Sequence, residues 1–210
     1  MTETAAEPAR VLAIRALGQP GDLGWVVQAH GERYAAEFGW DISFEALVAE
    51  IVAGYASNHD PVREAGWIAT LDGEPVGCVL CTRGDTDDTA KLRILLVHPK
   101  ARGHGLGNRL VTTCLDFARA AGYRRITLWT NSVLTSARRI YLAAGFELDD
   151  EHHHHSFGRD LVGQNWSRQL QGGLRLRRTE ERRAERTADE HAAVGPGETE
   201  TAHTASYFRR

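Results

Sequence analysis

Residues 97–111 read VHPKARGHGLGNRLV, three glycines and three basic side chains set between an apolar run and an amphipathic one. A glycine-rich turn that leads into a helix can cradle phosphate. Glycine tolerates positive φ and close backbone approach, and the first N–H groups of a helix have no partner inside it. Two familiar cradles fail. A P-loop needs GxxxxGK followed by Ser or Thr, and nothing in the chain supplies it. The dinucleotide fingerprint fails because Gly103 to Asn108 gives G-x-G-x-G, with no acidic ribose reader placed about twenty residues on. Its order is wrong too, since the loop follows the fourth strand rather than the first. What fits is Arg102-x-x-Gly105-x-Gly107 directly between a buried strand and a helix start, a pyrophosphate cradle built from amides and the helix dipole.

Outward from this loop, the chain alternates strands and helices. Arg10 to Arg15 reads as a short strand, and Asp22 as the cap of a helix over about 23–38. Ser43 opens a second helix with Phe44, Leu47, Val48, Ile51, Val52 and Tyr55 on one face. Trp67 to Leu71 and Val76 to Thr82 form a hairpin about Asp72-Gly73. RILLVHP from Arg93 is a buried strand. Leu106, Leu110, Val111, Cys114, Leu115 and Ala118 then line a helix that Gly122 ends. RRITLWT from Arg124 is a strand, SARRIYLAAG from Ser136 a helix closed by Gly145, and FELDDE and QNWSRQL are late strands. The order β-α-α-β-β-β-α-β-α-β-β predicts an α/β (α+β) mixed sheet, antiparallel in the hairpin and with a right-handed parallel crossover around the glycine loop.

The chain has 210 residues, enough for one domain with a core of its own. Residues 1–9 read as a flexible end, 10–171 as the domain and 172–210 as a charged, disordered tail. The tail carries eight basic and seven acidic residues and few large apolar ones. No apolar run is long enough for a membrane span, and the first residues lack the blocks of a signal peptide. Three cysteines suit a reducing cytoplasm better than a disulfide scaffold. A net charge of -3 gives no global basic field to recruit nucleic acid. The expected setting is therefore cytoplasmic, away from membranes and nucleic acid.

These segments together resemble the GNAT N-acetyltransferase superfamily over roughly 11–170. The resemblance rests on VHPKARGHGLG with its strand, on the helix containing Arg138-Arg139-Ile140-Tyr141, and on Gly145-Phe146. GDLGWVVQAHGERYAAEFGW, TLWTNSVLTSARRIYLAAGF and HHSFGRDLVGQNW look like the acetyltransferase half of proteins fused to MarR-type winged-helix regulators. With no winged-helix segment ahead of the domain, DNA binding is not implied.

The resemblance implies acetyl-CoA as co-substrate, no metal, and a small-molecule or peptide amine as acceptor, in a monomer or homodimer. It gives the pantetheine arm to the backbone of Leu95, Leu96 and Val97. Pyrophosphate falls to the loop Gly103, His104, Gly105, Leu106, Gly107 and Asn108, with Arg102 and Arg109 as helpers. Tyr141 matches the acid that protonates the departing thiolate, and a phenol of ordinary pKa ~10 suits that task. Family members often carry a coenzyme-contacting asparagine seven residues before the tyrosine. Here that position is Leu134, and Asn131 either takes the contact or ends the strand.

A base must take the proton of the acceptor ammonium. KLRILLV offers no carboxylate, which leaves Asp149, Asp150, Glu151 or a neighbouring histidine, with Glu151 as the working choice. His152 to His155 read as a polar loop. Adjacent residues on an extended segment alternate faces, so four imidazoles cannot converge on one metal. Cys78 and Cys81, three apart on a strand, face opposite sides and make no redox pair. Trp25, Tyr34, Trp40 and Tyr55 belong to the first two helices, some in the core and one or two at the acceptor pocket. A non-catalytic domain that senses acyl-CoA or binds a protein is the alternative function.

Overall fold

The structure, a computed structural model, describes residues 10–170. The expected flexible N-terminal end and the charged tail lie outside the described residues. The elements are β1 (Leu12–Ala16), α1 (Asp22–Phe38), α2 (Ile42–Asn58), β2 (Ala65–Leu71), β3 (Glu74–Arg83), β4 (Thr89–Val97), α3 (Leu106–Ala120), β5 (Arg125–Asn131), α4 (Thr135–Ala143), β6 (Glu147–Ser156) and β7 (Arg159–Gln169). That is the expected order, with a short 3₁₀ turn at Pro99–Ala101 added before α3.

The seven strands form one sheet in the order β1-β2-β3-β4-β5-β7-β6. Only the β4–β5 pair is parallel, across the α3 crossover; every other neighbouring pair is antiparallel. Asp72 and Gly73 both take positive φ, as a tight two-residue hairpin turn requires. Gly122 and Gly145 also take positive φ just past α3 and α4, where only glycine ends a helix this way without strain.

Two apolar clusters sandwich the sheet. Leu106, Leu110, Val111, Cys114 and Leu115 of α3 and Tyr141 of α4 pack on one face. Val26 and Ala29 of α1 with Phe44, Val48 and Val52 of α2 pack on the other. Cys78 belongs to one cluster and Cys81 to the other, as their spacing on a strand demands.

Several local expectations are corrected. Asp22 does not cap α1. It is the first helical residue, and its carboxylate accepts from the amides of Gly18 (2.9 Å) and Gln19 (2.8 Å) while two oxygens meet Arg15 at 2.7 Å. The capping side chain of α2 is Asp41, which accepts from the Ser43 amide, so Ser43 is one step inside. Trp40 lies in the link between the helices rather than within one.

The largest correction concerns His152 to His155. They are not a loop but the distal half of β6, paired residue for residue with Gly163 to Asp160 of β7. The turn is Phe157-Gly158, both at positive φ. The alternation itself holds: His152 and His154 share a face, their ring centroids 5.6 Å apart. β6 is a sheet edge exposed along nearly its whole length, and its charges and imidazoles blunt that edge against pairing with other chains.

Candidate active site

The site begins with one extra residue in β4. Cys78 pairs with Leu96 and Leu80 with Arg93, so a single residue of β3 spans two of β4. Ile94 takes up the excess at φ 46, a left-handed conformation that costs a β-branched residue on the order of 1–3 kcal/mol. The Cys78 thiol donates to the Ile94 carbonyl at 3.3 Å, and burial pushes that thiol's pKa up to about 12.

A bulge reverses the faces of a strand. Ala90 and Leu92 lie in the α3–α4 cluster, and after the bulge so do Leu95 and Val97; Ile94 and Leu96 lie in the α1–α2 cluster. By the same alternation Lys91 and Arg93 face the α1–α2 side.

The bulge also bends β4 away from β5. The two strands pair only over Thr89–Lys91 with Arg125–Thr127, although β5 continues against β7 to Asn131. A cleft opens there. His98 donates to the Val76 carbonyl at 2.7 Å, so His98 and Leu96 turn their backbones to β3. Leu95 and Val97 turn theirs to the cleft. Of the three residues assigned to the pantetheine arm, Leu96 therefore offers its side chain and not its amide.

Below the cleft, Gly103 (φ 83) and Gly105 (φ 69) bend the chain into α3, and Gly105 is its N-cap with no side chain capping it. The first bond into the helix runs from the Arg109 amide to the Gly105 carbonyl. The amides of Leu106, Gly107 and Asn108 thus have no partner within the helix. At Gly107 a Cβ would stand 2.4 Å from Ile140 Cδ1 and 3.6 Å from Val97 Cγ2, so glycine lets α3, α4 and β4 converge.

Two cavities flank this geometry. The first, about 410 Å³, is walled by Arg102, Gly103, Gly105 to Asn108, Leu95 to Val97, and the start of α4. Arg33 of α1 and Arg139 of α4 line it as well, and the sequence reading missed both. Arg102 is held by Glu37 at 2.6 Å, and its Nε reaches the Val97 carbonyl at 3.3 Å. His104 and Arg109 line neither cavity.

The second cavity, about 270 Å³, lies between α1–α2, β4 and the end of β5. It shares Tyr34, Leu95, Leu134 and Ala137 with the first, so the two chambers meet across the cleft. Tyr141 lines the second chamber, buried against Phe146, and burial raises its pKa well above the ordinary phenol range. Its hydroxyl remains a proton donor at any working pH. Asn131 sits in this chamber too, not in the first. Its Oδ1 accepts from His154 Nε2 at 2.9 Å, and its buried Nδ2 has no partner among the described residues.

Glu151, the working base, is exposed on β6, accepts from Gln164 Nε2 at 2.9 Å and lines neither chamber. Asp149 is tied to Arg125 and Ser167, and Asp150 to Asn165. His155 pairs with Asp160 on the surface. The structure instead brings His30 of α1 to the second chamber. Its Nδ1–H donates to the Val26 carbonyl at 2.8 Å, which leaves Nε2 with a lone pair and no partner among the described residues. Burial lowers its pKa to about 4, so the ring is neutral. Nothing in the local sequence marks it, because a histidine on an amphipathic helix reads as ordinary packing. Among the described residues no three His, Cys, Asp or Glu side chains gather as a metal site.

The donor set fits an acyl-CoA thioester. Free amides at a helix start and three arginines suit phosphates, and an unpaired strand backbone suits an amide-bearing arm. Comparison with known proteins agrees with that fit. The profile of the "Acetyltransferase (GNAT) family" matches residues 28–146. The chain is 30% identical over 106 residues to N-acetylaspartate synthetase of Danio rerio, covering 50% of this chain and 36% of that protein. It is 29% identical over 126 residues to N-acetyltransferase 8B of Homo sapiens, covering 57% of this chain and 53% of that protein. The chain thus spans between a third and about half of these relatives. An acetyltransferase of Salmonella typhimurium, solved with its cofactor acetyl-CoA, superposes with a TM-score of 0.60 at 19% identity, covering 76% of this chain and 94% of that one. A GNAT acetyltransferase of Staphylococcus aureus gives a TM-score of 0.62 at 18% identity, covering 77% and 100%. By its profile match and its fold, the chain belongs to the acetyltransferase (GNAT) family.

Proposed function

We propose that residues 10–171 transfer the acetyl group of acetyl-CoA to a primary amine by direct attack. The observation that carries this reading is the pair of chambers that meet at the β4–β5 cleft, one built from helix-start amides and the other lined by Tyr141. Acetyl-CoA brings an activated thioester carbonyl. In the first chamber the amides of Leu106, Gly107 and Asn108 hold pyrophosphate, and Leu95 and Val97 pair with the pantetheine arm. A cleft-facing amide also stabilises negative charge on the acetyl oxygen as the carbonyl becomes tetrahedral.

The acceptor ammonium first loses a proton to solvent; the free amine nitrogen then forms the new C–N bond, the C–S bond breaks, and the thiolate takes the Tyr141 proton. The nitrogen sheds its own proton to an acceptor in the second chamber, where His30 Nε2 carries a lone pair. The names of the relatives support N-acetyl transfer, and the neighbour solved with acetyl-CoA supports the donor. Within the family we place the chain near the acetyltransferase half of MarR-type fusions, on the segments quoted above. It works without a resident metal as a cytoplasmic monomer or homodimer.

The test is thiol release from acetyl-CoA with a panel of amines, comparing wild type with Tyr141→Phe. Removing a general acid lowers kcat by about 10²–10⁴-fold with acetyl-CoA affinity unchanged. Acetyl-CoA binding without turnover of any amine would favour the non-catalytic acyl-CoA sensor, and an unchanged kcat would remove Tyr141 from the chemistry.

A further inference from the structure

Among the described residues, Arg15, Arg83, Arg102, Arg119 and Arg125 each meet a carboxylate at 2.6–3.0 Å. Lys91 and Arg93 do not. Both are half-buried, both line the second chamber, and no Asp or Glu shares that lining. Two residues apart on one strand, they stand about 7 Å from each other on the same face. Like charges confined together and partly withdrawn from water are unfavourable unless a counter-charge arrives. An amine that enters as a bare ammonium would add a third positive charge to this chamber.

On the acyl-transfer reading above, we propose that the acceptor is an amine that also carries a carboxylate, in the manner of an amino acid, and that Lys91 and Arg93 hold the carboxylate. The guanidinium fork of Arg93 matches a carboxylate edge to edge, and Lys91 supplies a second charge beside it. The other polar atoms of the chamber serve the same molecule. His30 Nε2 accepts a hydrogen from the amine, and Asn131 Nδ2 donates to an oxygen. Phe44, Leu47, Ile51 and Trp129 surround the carbon body. The chamber, about 270 Å³, is smaller than the ~300–1,000 Å³ of drug-sized sites, which suits a free small molecule.

The test uses matched acceptors: leucine against isopentylamine, phenylalanine against phenethylamine, and aspartate against its diamide, each read as kcat/KM for thiol release. A hydrogen-bonded charge contact predicts a preference of about tenfold or more for the carboxylate member. In Lys91→Gln/Arg93→Gln, with its melt checked against wild type, that preference falls to within about threefold of unity. In wild type alone, N-acetylleucine must inhibit at lower concentration than N-isopentylacetamide, which probes the same contact without a variant. Thiol release with no preference for the carboxylate overturns the proposal and leaves acetyl transfer standing. A preference that survives in the double variant overturns the assignment to Lys91 and Arg93. Release with none of the six while other primary amines are turned over overturns this proposal alone; acetyl-CoA binding with no release from any amine of the wider panel refutes the acyl-transfer reading, and this proposal with it.

Discussion

Consider Gly107→Ala. Gly107 is helical with ordinary φ, so the backbone accepts alanine, and in a helix that change alone is favourable by up to about 1 kcal/mol. Space opposes it. The new Cβ would lie 2.4 Å from Ile140 Cδ1, well inside contact, so α4 or its side chain must give way. Overpacking of this kind costs about 1–3 kcal/mol. The net expectation is a loss of about 0–3 kcal/mol. Ile140→Val removes the clashing methyl and alone costs about 0.5–1.5 kcal/mol. In that background Gly107→Ala should become neutral or stabilising, so the double-mutant cycle should show a coupling of about 1–3 kcal/mol. Urea unfolding of the four proteins at fixed m-value measures it. Free energies that add within about 0.5 kcal/mol would refute the claim that glycine is there for the α3–α4 approach.

Two further predictions concern pH. His30 has its folded pKa lowered from 6.5 to about 4, so between these values the unfolded chain binds the extra proton and folding loses about 3 kcal/mol as pH falls through the window. His30→Phe should flatten that limb of a stability–pH profile, and an unchanged limb would place the buried proton elsewhere. Asp22 is held down from 3.8 to about 2, first by its hydrogen-bonded pair with Arg15, against a desolvation penalty, and then by the Gly18 and Gln19 amides. Its contribution, about 2 kcal/mol, is complete above pH 3.8 and is lost as pH falls towards 2. Asp22→Asn should be destabilised at neutral pH yet approach wild type near pH 2, and a deficit constant with pH would show that the charge is not what matters.

Most of the scaffold is legible in sequence because its signals are local. Asp72-Gly73 sets a turn by itself, and the stripe from Leu106 to Ala118 specifies a helix whatever lies beside it. Features that depend on a distant partner are not. RILLV reads as an unbroken strand, because the extra residue at Ile94 exists only relative to β3. The histidines of β6 carry no apolar alternation, and their extended form is imposed by β7, whose Leu161, Gly163 and Trp166 are buried. The glycine loop was found through its own spacing. Arg33, Arg139 and His30 reach the chambers from helices far away in sequence, and helical periodicity assigns such residues a face but not a neighbour. Glu151, picked from the carboxylates and histidines near the end of the sixth strand, lines neither chamber, because sequence proximity does not say which face of an edge strand meets a cleft.

The kink at Ile94 has a bearing on how such a protein can diversify. Before the kink Lys91 and Arg93 line the second chamber from the α1–α2 face, and after it Leu95 and Val97 line the first from the opposite face. On the roles proposed above, substitutions at Lys91 or Arg93, which line only the second chamber, would change the acceptor preference without touching the residues proposed to hold acetyl-CoA. Deleting Ile94 would leave 95–97 on their present faces but restore regular pairing with β3, removing the bend that parts β4 from β5. One misfit residue thus makes two specificities separately adjustable on a single strand.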